Sequence, residues 1–170
     1  GSVSIRKMDD LENDYESNIV RRTLAIIQLK YTTDGKFLFI SSKEADIFVY
    51  SIAKKSVVFK IPTFGVGVKC FSLSPSDRYL GYIDENASLK ILHLQISDDG
   101  SSISGQEKVL TVGDIAVKSF CRSSKHGMGL SWHPTQPLLA MPSSAGTVFV
   151  ASALSASATA SANSEDRKST

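Results

Sequence analysis

This 170-residue sequence has little excess of either charge, no clustered cysteines and no long apolar runs, and each of these features excludes a class of protein. The formal net charge is +2 and the pI is about 8.5, below the value near 9 that nucleic-acid-binding domains commonly exceed. The two cysteines, Cys70 and Cys121, cannot form a disulfide framework or a four-cysteine zinc site and suit a reducing compartment. The apolar runs, such as residues 24–29, are much shorter than the ~18 residues of a membrane helix. We therefore expect a soluble intracellular protein without a membrane partner.

Three segments of the chain repeat one pattern, and they align without gaps: residues 31–50, 73–92 and 132–151. Each segment opens on a large apolar residue, continues through a polar turn and then reaches a leucine in a shared column. The alignment predicts a structural core made of these positions: Tyr31, Leu38, Leu73, Leu80, Trp132 and Leu139.

Apolar and polar residues alternate within each segment, and Gly, Pro, Asp and Ser punctuate the alternation. This pattern is typical of short antiparallel strands joined by tight turns. The offset between the first two segments is 42 residues, which matches one four-stranded propeller blade of roughly 40–45 residues. Residues 57–61 and 19–23 are expected to supply fourth strands. The predicted fold is all-β, a partial β-propeller of about three four-stranded antiparallel blades.

The predicted boundaries divide the chain into three parts. Residues 1–18 are expected to hold the end of a preceding blade and an acidic linker, residues 19–150 the three blades, and residues 151–170 a disordered Ala/Ser-rich tail. Residues 97–108 are polar and are expected to project as a mobile loop. Because propellers close with about four to eight blades, the chain is expected to be a piece of a larger propeller or one completed by a partner.

No constellation of catalytic, cofactor-binding or metal-binding residues is found. The three histidines, His93, His126 and His133, lack the clustered spacing of a metal site. No Gly-x-Ser-x-Gly segment is present, and the Gly-x-Gly at residues 65–67 lacks the third glycine of a phosphate loop. His133 is interpreted as an exposed turn residue, and Trp132 is expected to pack between blades. We expect a protein that is not an enzyme and that needs no cofactor.

Basic residues are dispersed, but some would fall at the rims of the blades. They are candidates for contacts with a protein partner or with DNA phosphates: Arg21, Arg22, Lys54, Lys55, Arg122 and Lys125. The competing interpretation is ordinary solvated loop charge.

Two stretches carry a family resemblance. Residues 73–80 (LSPSDRYL) and 130–140 (LSWHPTQPLLA) resemble the aromatic-Ser-Pro-x-Gly-x-x-Leu corner of WD repeats. The usual Trp-Asp pair is replaced by Tyr50-Ser51, Leu92-His93 and Ala151-Ser152, so these would be divergent repeats.

The order of segments from residue 19 to residue 150 resembles, more closely, the amino-terminal propeller of a replication-adaptor family. These are the WD-repeat and HMG-box DNA-binding proteins of animals and their fungal chromosome-transmission-fidelity relatives. The matching residues are Ser131-Trp132-His133-Pro134 and Leu138-Leu139-Ala140-Met141-Pro142. The resemblance implies a nuclear, non-enzymatic hub that links DNA polymerase α to the replicative helicase and supports sister-chromatid cohesion. Replication factors would be its partners, with non-specific DNA contacts as a further expectation. The alternatives are a generic WD-repeat scaffold in RNA processing or trafficking, which would allow a cytoplasmic location, and a weak nucleic-acid-binding module with a basic rim.

Overall fold

β-strands make up the regular structure of the residues that the computed structural model describes, namely 2–7, 10–21, 25–43, 46–63, 65–86, 88–97, 102–108, 129–142 and 148–154. In chain order the strands are Ser2–Lys7 (β1), Asp10–Arg21 (β2), Ile26–Tyr31 (β3), Phe37–Ser42 (β4), Ile47–Ser51 (β5), Ser56–Ile61 (β6), Val68–Leu73 (β7), Tyr79–Asp84 (β8), Leu89–Ile96 (β9), Ile103–Lys108 (β10), Ser131–Trp132 (β11), Leu138–Pro142 (β12) and Val148–Ser152 (β13). The all-β prediction is confirmed for these residues.

The strands form antiparallel sheets in which each strand pairs with its neighbours in sequence. Strands β3–β6 make a four-stranded first sheet, β7–β10 a four-stranded second sheet, and β11–β13 a three-stranded third sheet. Strands β1 and β2 pair only with each other, and we call them the N-terminal hairpin. The predicted fourth strand at residues 57–61 is confirmed as β6, which pairs with β5.

The three sheets share one register, as the sequence alignment predicts. The cross-strand rows are Tyr31–Leu38–Tyr50 in the first sheet, Leu73–Leu80–Leu92 in the second, and Trp132–Leu139–Ala151 in the third. Residues opposite each other in a row point to the same face of the sheet. We call the face that carries these rows the leading face and the opposite face the trailing face.

Each sheet packs its leading face on the trailing face of the sheet before it. Between the first and second sheets, Phe39 and Val49 meet Leu80 and Leu92 in one buried cluster. Between the second and third sheets, Ile91 packs in a cluster with Leu139. Because every residue of β4 and β5 is buried, the first sheet is covered on both faces over these two strands. Burial of each large apolar side chain contributes about 1.5–3 kcal/mol, which makes these face-to-face contacts the main support of the fold.

The N-terminal hairpin covers part of the leading face of the first sheet. Val3 is buried there against Leu38 and Ile40, and Ile19 packs at the margin. The predicted placement of residues 19–23 as a fourth strand of the first blade is therefore wrong, because residues 19–21 belong to β2. Part of the predicted acidic linker is also a strand, since residues 10–18 form the rest of β2 and supply hydrogen-bond partners to β1.

Tyr31 is the one predicted core residue that lies at the surface, where the residue is 44% exposed. Its counterparts Leu73 and Trp132 are buried because a complete sheet precedes each of them. Among the described residues, the N-terminal hairpin alone lies in front of Tyr31, and a cavity of about 480 Å³ separates β1 from β3. The repeat position is the same in all three sheets, but burial depends on the neighbouring sheet.

The predicted mobile loop at residues 97–108 contains a strand. Strand β10 completes the second sheet, and Ile103 is buried in the cluster between the first two sheets. Ile103 and Gly105 stand at strand period on one face, where a Cβ on Gly105 would lie 2.6 Å from Leu92 Cδ2. These two residues were the sequence signal for the strand, and the surrounding polar residues obscured it.

Strand β13 also continues past the predicted blade boundary at residue 150. Ala151 pairs with Leu139, and Ala151 and Ala153 are both buried. The remaining residues of the predicted tail, 155–170, lie outside the described residues.

Candidate interaction surface at the turn end

Three equivalent turns join the first two strands of each sheet and lie at the same end of the molecule, which we call the turn end. They span residues 32–36, 74–78 and 133–137. In each turn the first residue donates its backbone N–H to the carbonyl five positions along: Thr32 to Phe37 at 3.0 Å, Ser74 to Tyr79 at 2.8 Å, and His133 to Leu138 at 2.8 Å. The side chain of that first residue accepts a further backbone N–H, so each turn is closed by its own sequence.

In the third turn the His133 side chain accepts backbone N–H groups, as a side-chain hydroxyl does in the other two turns. Its Nδ1 atom accepts the backbone N–H groups of Thr135 at 3.2 Å and Gln136 at 3.1 Å. In a neutral imidazole the ring proton then resides on Nε2. The interpretation of His133 as an exposed turn residue is confirmed, and its Nδ1 atom is engaged in hydrogen bonds with the backbone of the turn.

Trp132 fixes the third turn against the second. Its indole N–H donates to the carbonyl of Ser72 at 2.9 Å, and its ring stacks on Tyr79 with centroids 6.0 Å apart. Tyr79 also contacts the ring of His93 at 5.2 Å. The expectation that Trp132 packs between blades is confirmed. The consequence for the surface is that the second and third turns are held at a fixed separation.

A groove lies between these two turns. Its volume is about 430 Å³, and it is lined by residues 74–76, Arg78, Tyr79, residues 133–137 and Leu154. Arg78 is exposed at its rim, and Leu154 beside it is a 63% exposed residue. The walls therefore offer hydroxyl groups, proline rings, one cation and one aliphatic side chain.

A second cavity of about 380 Å³ continues the concave surface toward the first turn and shares Ser74 and Pro75 with the groove. Here the first and second turns are joined directly. The backbone N–H of Thr33 donates to Asp77 Oδ2 at 2.7 Å, and the Thr33 hydroxyl donates to the carbonyl of Pro75 at 3.2 Å. The three turns thus form one connected surface rather than three independent loops.

Two carboxylates at the turn end have shifted pKa values of opposite direction. Burial raises the pKa of Asp77, and the backbone N–H of Thr33 opposes that shift. The backbone N–H of Lys36 holds the pKa of Asp34 below its usual range. Asp77 also has a φ of +55°, a left-handed conformation that Asp and Asn tolerate better than most residues.

Of the six basic residues proposed for partner or DNA contacts, two lie at the same end of the molecule as this surface, outside the residues that line its two cavities. Lys54 and Lys55 are exposed in the β5–β6 turn, which lies at the turn end. Arg22, Arg122 and Lys125 lie outside the described residues, as does the side chain of Arg21. The basic-rim hypothesis therefore stays a prediction.

Sequence reasoning missed Arg78 and Tyr79 as surface-forming residues. Both fall inside the second repeat segment, where the alignment directed attention to the buried leucines instead. The sequence did contain a signal for the turns that form this surface. The position after the apolar opening residue of each segment holds the first residue of the turn, namely Thr32, Ser74 and His133.

Within the described ranges, no group of three or more His, Cys, Asp or Glu residues is placed to hold a metal ion. In the same part of the chain, no helix is long and apolar enough to cross a membrane.

Comparison with known proteins identifies the fold. No protein-family model matches the chain, and no curated protein matches it in sequence. Solved structures do match. The structure of U3-55K and the crystal structure of RRP9 WD40 repeats each give a TM-score of 0.52 at 18% identity over 78% of this chain. A chain from the crystal structure of the mitotic checkpoint complex gives 0.54 at 13% identity over 85%.

The chain spans between 36% and 38% of the lengths of these three chains. At such identities the likeness concerns the fold alone. Together with the three stacked antiparallel sheets, it shows that the chain folds as a partial WD-repeat β-propeller.

Proposed function

We propose that the chain is a non-enzymatic scaffold that binds protein partners at its turn end. The observation that carries this proposal is the connected concave surface of three turns, held rigid by the Trp132–Ser72 and Thr33–Asp77 hydrogen bonds. Concave surfaces of mixed apolar and polar character, placed on a rigid framework, are typical binding sites.

The groove between the second and third turns suits an extended protein segment. Pro75 and Pro134 offer apolar contact, and Leu154 extends it at the rim. Arg78 adds a positive charge that favours an acidic side chain in the partner. We therefore infer that the partner segment combines aliphatic residues with at least one acidic residue.

A peptide-display selection on the immobilised protein tests the scaffold function. Peptides enriched on the wild type should lose binding to Arg78→Glu and keep binding to Lys43→Glu. Lys43 is a matched control because it is exposed in the β4–β5 turn at the opposite end. Enrichment that ignores both substitutions would refute the groove as the binding site.

The more specific proposal is a nuclear replication and cohesion adaptor that links DNA polymerase α to the replicative helicase. Its support is the resemblance of residues 131–142 to the replication-adaptor family, since the fold is common to scaffolds of many pathways. Purified polymerase α and helicase subunits should each bind the chain, with binding reduced by Arg78→Glu. If neither binds while the peptide selection succeeds, a scaffold in another pathway, such as RNA processing or trafficking, is favoured.

Nucleic-acid binding is a second candidate function, favoured by the exposed Lys54 and Lys55 at the turn end. Phosphate contacts would give binding that weakens steeply with salt and ignores base sequence. Titration of duplex DNA at several salt concentrations tests it, with the double variant Lys54→Glu/Lys55→Glu as comparison. Absence of binding at low salt would remove this candidate.

A further inference from the structure

The first turn contains an acid placed between a hydroxyl and a cation. The Asp34 carboxylate accepts the Thr32 hydroxyl at 2.7 Å and the backbone N–H of Lys36 at 3.0 Å, and it pairs with Lys36 Nζ at 3.6 Å. The hydroxyl stands two residues before the acid and the cation two residues after it. Because the backbone N–H of Lys36 holds the pKa of Asp34 below its usual range, this position of the turn favours an anion.

The second turn has the same layout but lacks the acid. Ser76 occupies the position of Asp34, because the two repeats align at an offset of 42 residues. The residues two positions before and after it, Ser74 and Arg78, again supply a hydroxyl and a cation. The Ser76 Oγ atom lies 3.2 Å from Ser74 Oγ, so this side chain meets the hydroxyl of the first turn residue as the Asp34 side chain does. The surroundings of an acid are therefore present around a serine.

Arg78 is a cation without an acidic partner in the part of the chain that the structure describes. Its guanidinium makes no ion pair or hydrogen bond with those residues. The adjacent carboxylate, Asp77, accepts the backbone N–H of Thr33 and lines the cavity beside the first turn instead. The described residues that line the groove include no carboxylate. An unpaired guanidinium and the exposed hydroxyl of Ser76 thus stand two residues apart at the wall of the groove.

We propose that Ser76 is a phosphorylation site that controls the groove. A protein kinase transfers the γ-phosphoryl group of ATP: the bond from Ser76 Oγ to phosphorus forms, the bond from phosphorus to the β,γ-bridging oxygen breaks, and ADP leaves. The serine proton passes to a base of the kinase. The new phosphate carries a charge of about −1.5 to −2 and bonds to Arg78, as the Asp34 carboxylate bonds to Lys36.

The consequence for the groove is a reversal of its charge. This step rests on the proposed function, in which the Arg78 cation attracts an acidic residue of the partner. The phosphate on Ser76 pairs with that cation and adds negative charge to the same wall, so an acidic segment is repelled. Phosphorylation then releases the partner, and removal of the phosphate restores binding.

Modification by purified kinases is the first test. The full chain is incubated with ATP and a panel of serine kinases of basophilic, acidophilic and proline-directed specificity, and the modified positions are mapped by mass spectrometry. At least one kinase should modify Ser76 faster than Ser104, an exposed serine on β10 with no charged residue within two positions. A folded chain in which no kinase modifies Ser76, or in which Ser104 reacts as fast, would overturn the proposal.

Phosphorus NMR tests the contact with Arg78 without any partner. Phosphoserine is installed in place of Ser76 and its phosphate is titrated, alone and with Arg78→Gln. Because a nearby cation favours the dianion, the phosphate should lose its second proton at lower pH when Arg78 is present. With phosphoserine in place of Ser104 instead, Arg78→Gln should leave the titration unchanged. Identical titrations at residue 76 with and without the guanidinium would refute the phosphate–Arg78 contact.

Peptide affinity separates this proposal from the proposed function. Peptides selected on the unmodified chain should bind at least about tenfold more weakly when residue 76 is phosphoserine and equally well when residue 104 is phosphoserine. Undiminished binding to the chain phosphorylated at residue 76 would overturn control of the groove. If the selection yields no peptides, the proposed function fails by itself, and the kinase and NMR measurements still decide whether Ser76 is the modification site.

Discussion

Gly81 decides how closely the second and third sheets approach each other. A Cβ atom at this position would lie 2.7 Å from Leu139 Cδ2 and 3.4 Å from Trp132 Cζ2. Leu139 is itself fully buried and has little room to move. Leu139, a predicted core residue, thus occupies the space into which a side chain at Gly81 would project.

Substitution of Gly81 by Ala should lower the free energy of unfolding by about 1–3 kcal/mol, because overpacking a close interface forces its side chains from their preferred positions. Urea unfolding measures this change. Gly129→Ala is the matched control, since a Cβ there meets nothing within 4 Å, and it should change stability by less than about 0.5 kcal/mol. An equal loss in both variants would refute the steric explanation.

Asp77 couples the second turn to the first and makes that contact sensitive to pH. Burial raises the pKa of this carboxyl in the folded state. A raised carboxyl pKa means that the folded chain holds the proton more tightly than the unfolded chain does. The resulting stabilisation is present below the ordinary carboxyl range and is lost as pH rises through the folded pKa.

Substitution of Asp77 by Asn should keep an acceptor for the Thr33 N–H and the left-handed backbone, while removing the buried charge. The stability of Asp77→Asn relative to wild type should therefore rise as pH increases from acid toward neutral. Thermal unfolding across that range measures the difference, in which the opposite contribution of Asp34 cancels. A difference that falls with increasing pH would contradict the assignment.

At the scale of strands, the first strands of adjacent sheets (β3, β7 and β11) are connected by side-chain hydrogen bonds as well as by packing. The Gln28 side chain on β3 donates to the carbonyl of Phe71 at 2.9 Å and accepts its N–H at 3.0 Å. A single side chain thereby pairs with the backbone of β7 as a further strand would. Trp132 gives the corresponding link from β11 to Ser72.

Substitution of Gln28 by Leu removes both hydrogen bonds and leaves the Phe71 backbone groups without this partner. We expect a loss of about 1–3 kcal/mol in the free energy of unfolding, since each such bond contributes roughly 0.5–1.5 kcal/mol. Chemical unfolding measures it. Gln95→Leu on β9, where the side chain is exposed, should have little effect, and a comparable loss there would indicate a general response to the lost amide.

At the scale of the whole molecule, stability should be distributed unevenly along the stack. Strands β4, β5 and β8 pair on both edges and are buried on both faces. Within the described sheets, β13 pairs with β12 alone and exposes two valines.

Hydrogen exchange should follow this gradient. Backbone amides of β4, β5 and β8 should exchange slowest, and amides of β13 should exchange at least about 100-fold faster, because their opening requires little of the core to separate. Mass spectrometry of deuterated fragments measures the rates. Uniform protection across the strands would instead indicate that the stack opens as one cooperative unit.

The repeat determined most of the architecture from sequence alone. Alternation at period two selects strands, and the shared columns fix the register that places Leu38, Leu80 and Leu139 on equivalent faces. Local polarity concealed β2 and β10: β2 is largely polar along its length, and in β10 the strand-period signal of Ile103 and Gly105 lies among polar residues.

The sequence by itself determined the strands of the three repeat segments, their antiparallel order and the role of His133 as a turn residue, because these depend on neighbours along the chain. Only the tertiary structure decided which repeat positions are buried. Tyr31, Leu73 and Trp132 occupy one column, as do Val49, Ile91 and Val150, yet their exposure differs because burial requires a sheet in front or behind. The grouping of three turns into one surface was likewise set by sheet stacking, which joins residues such as Thr33 and Asp77 that lie far apart in sequence.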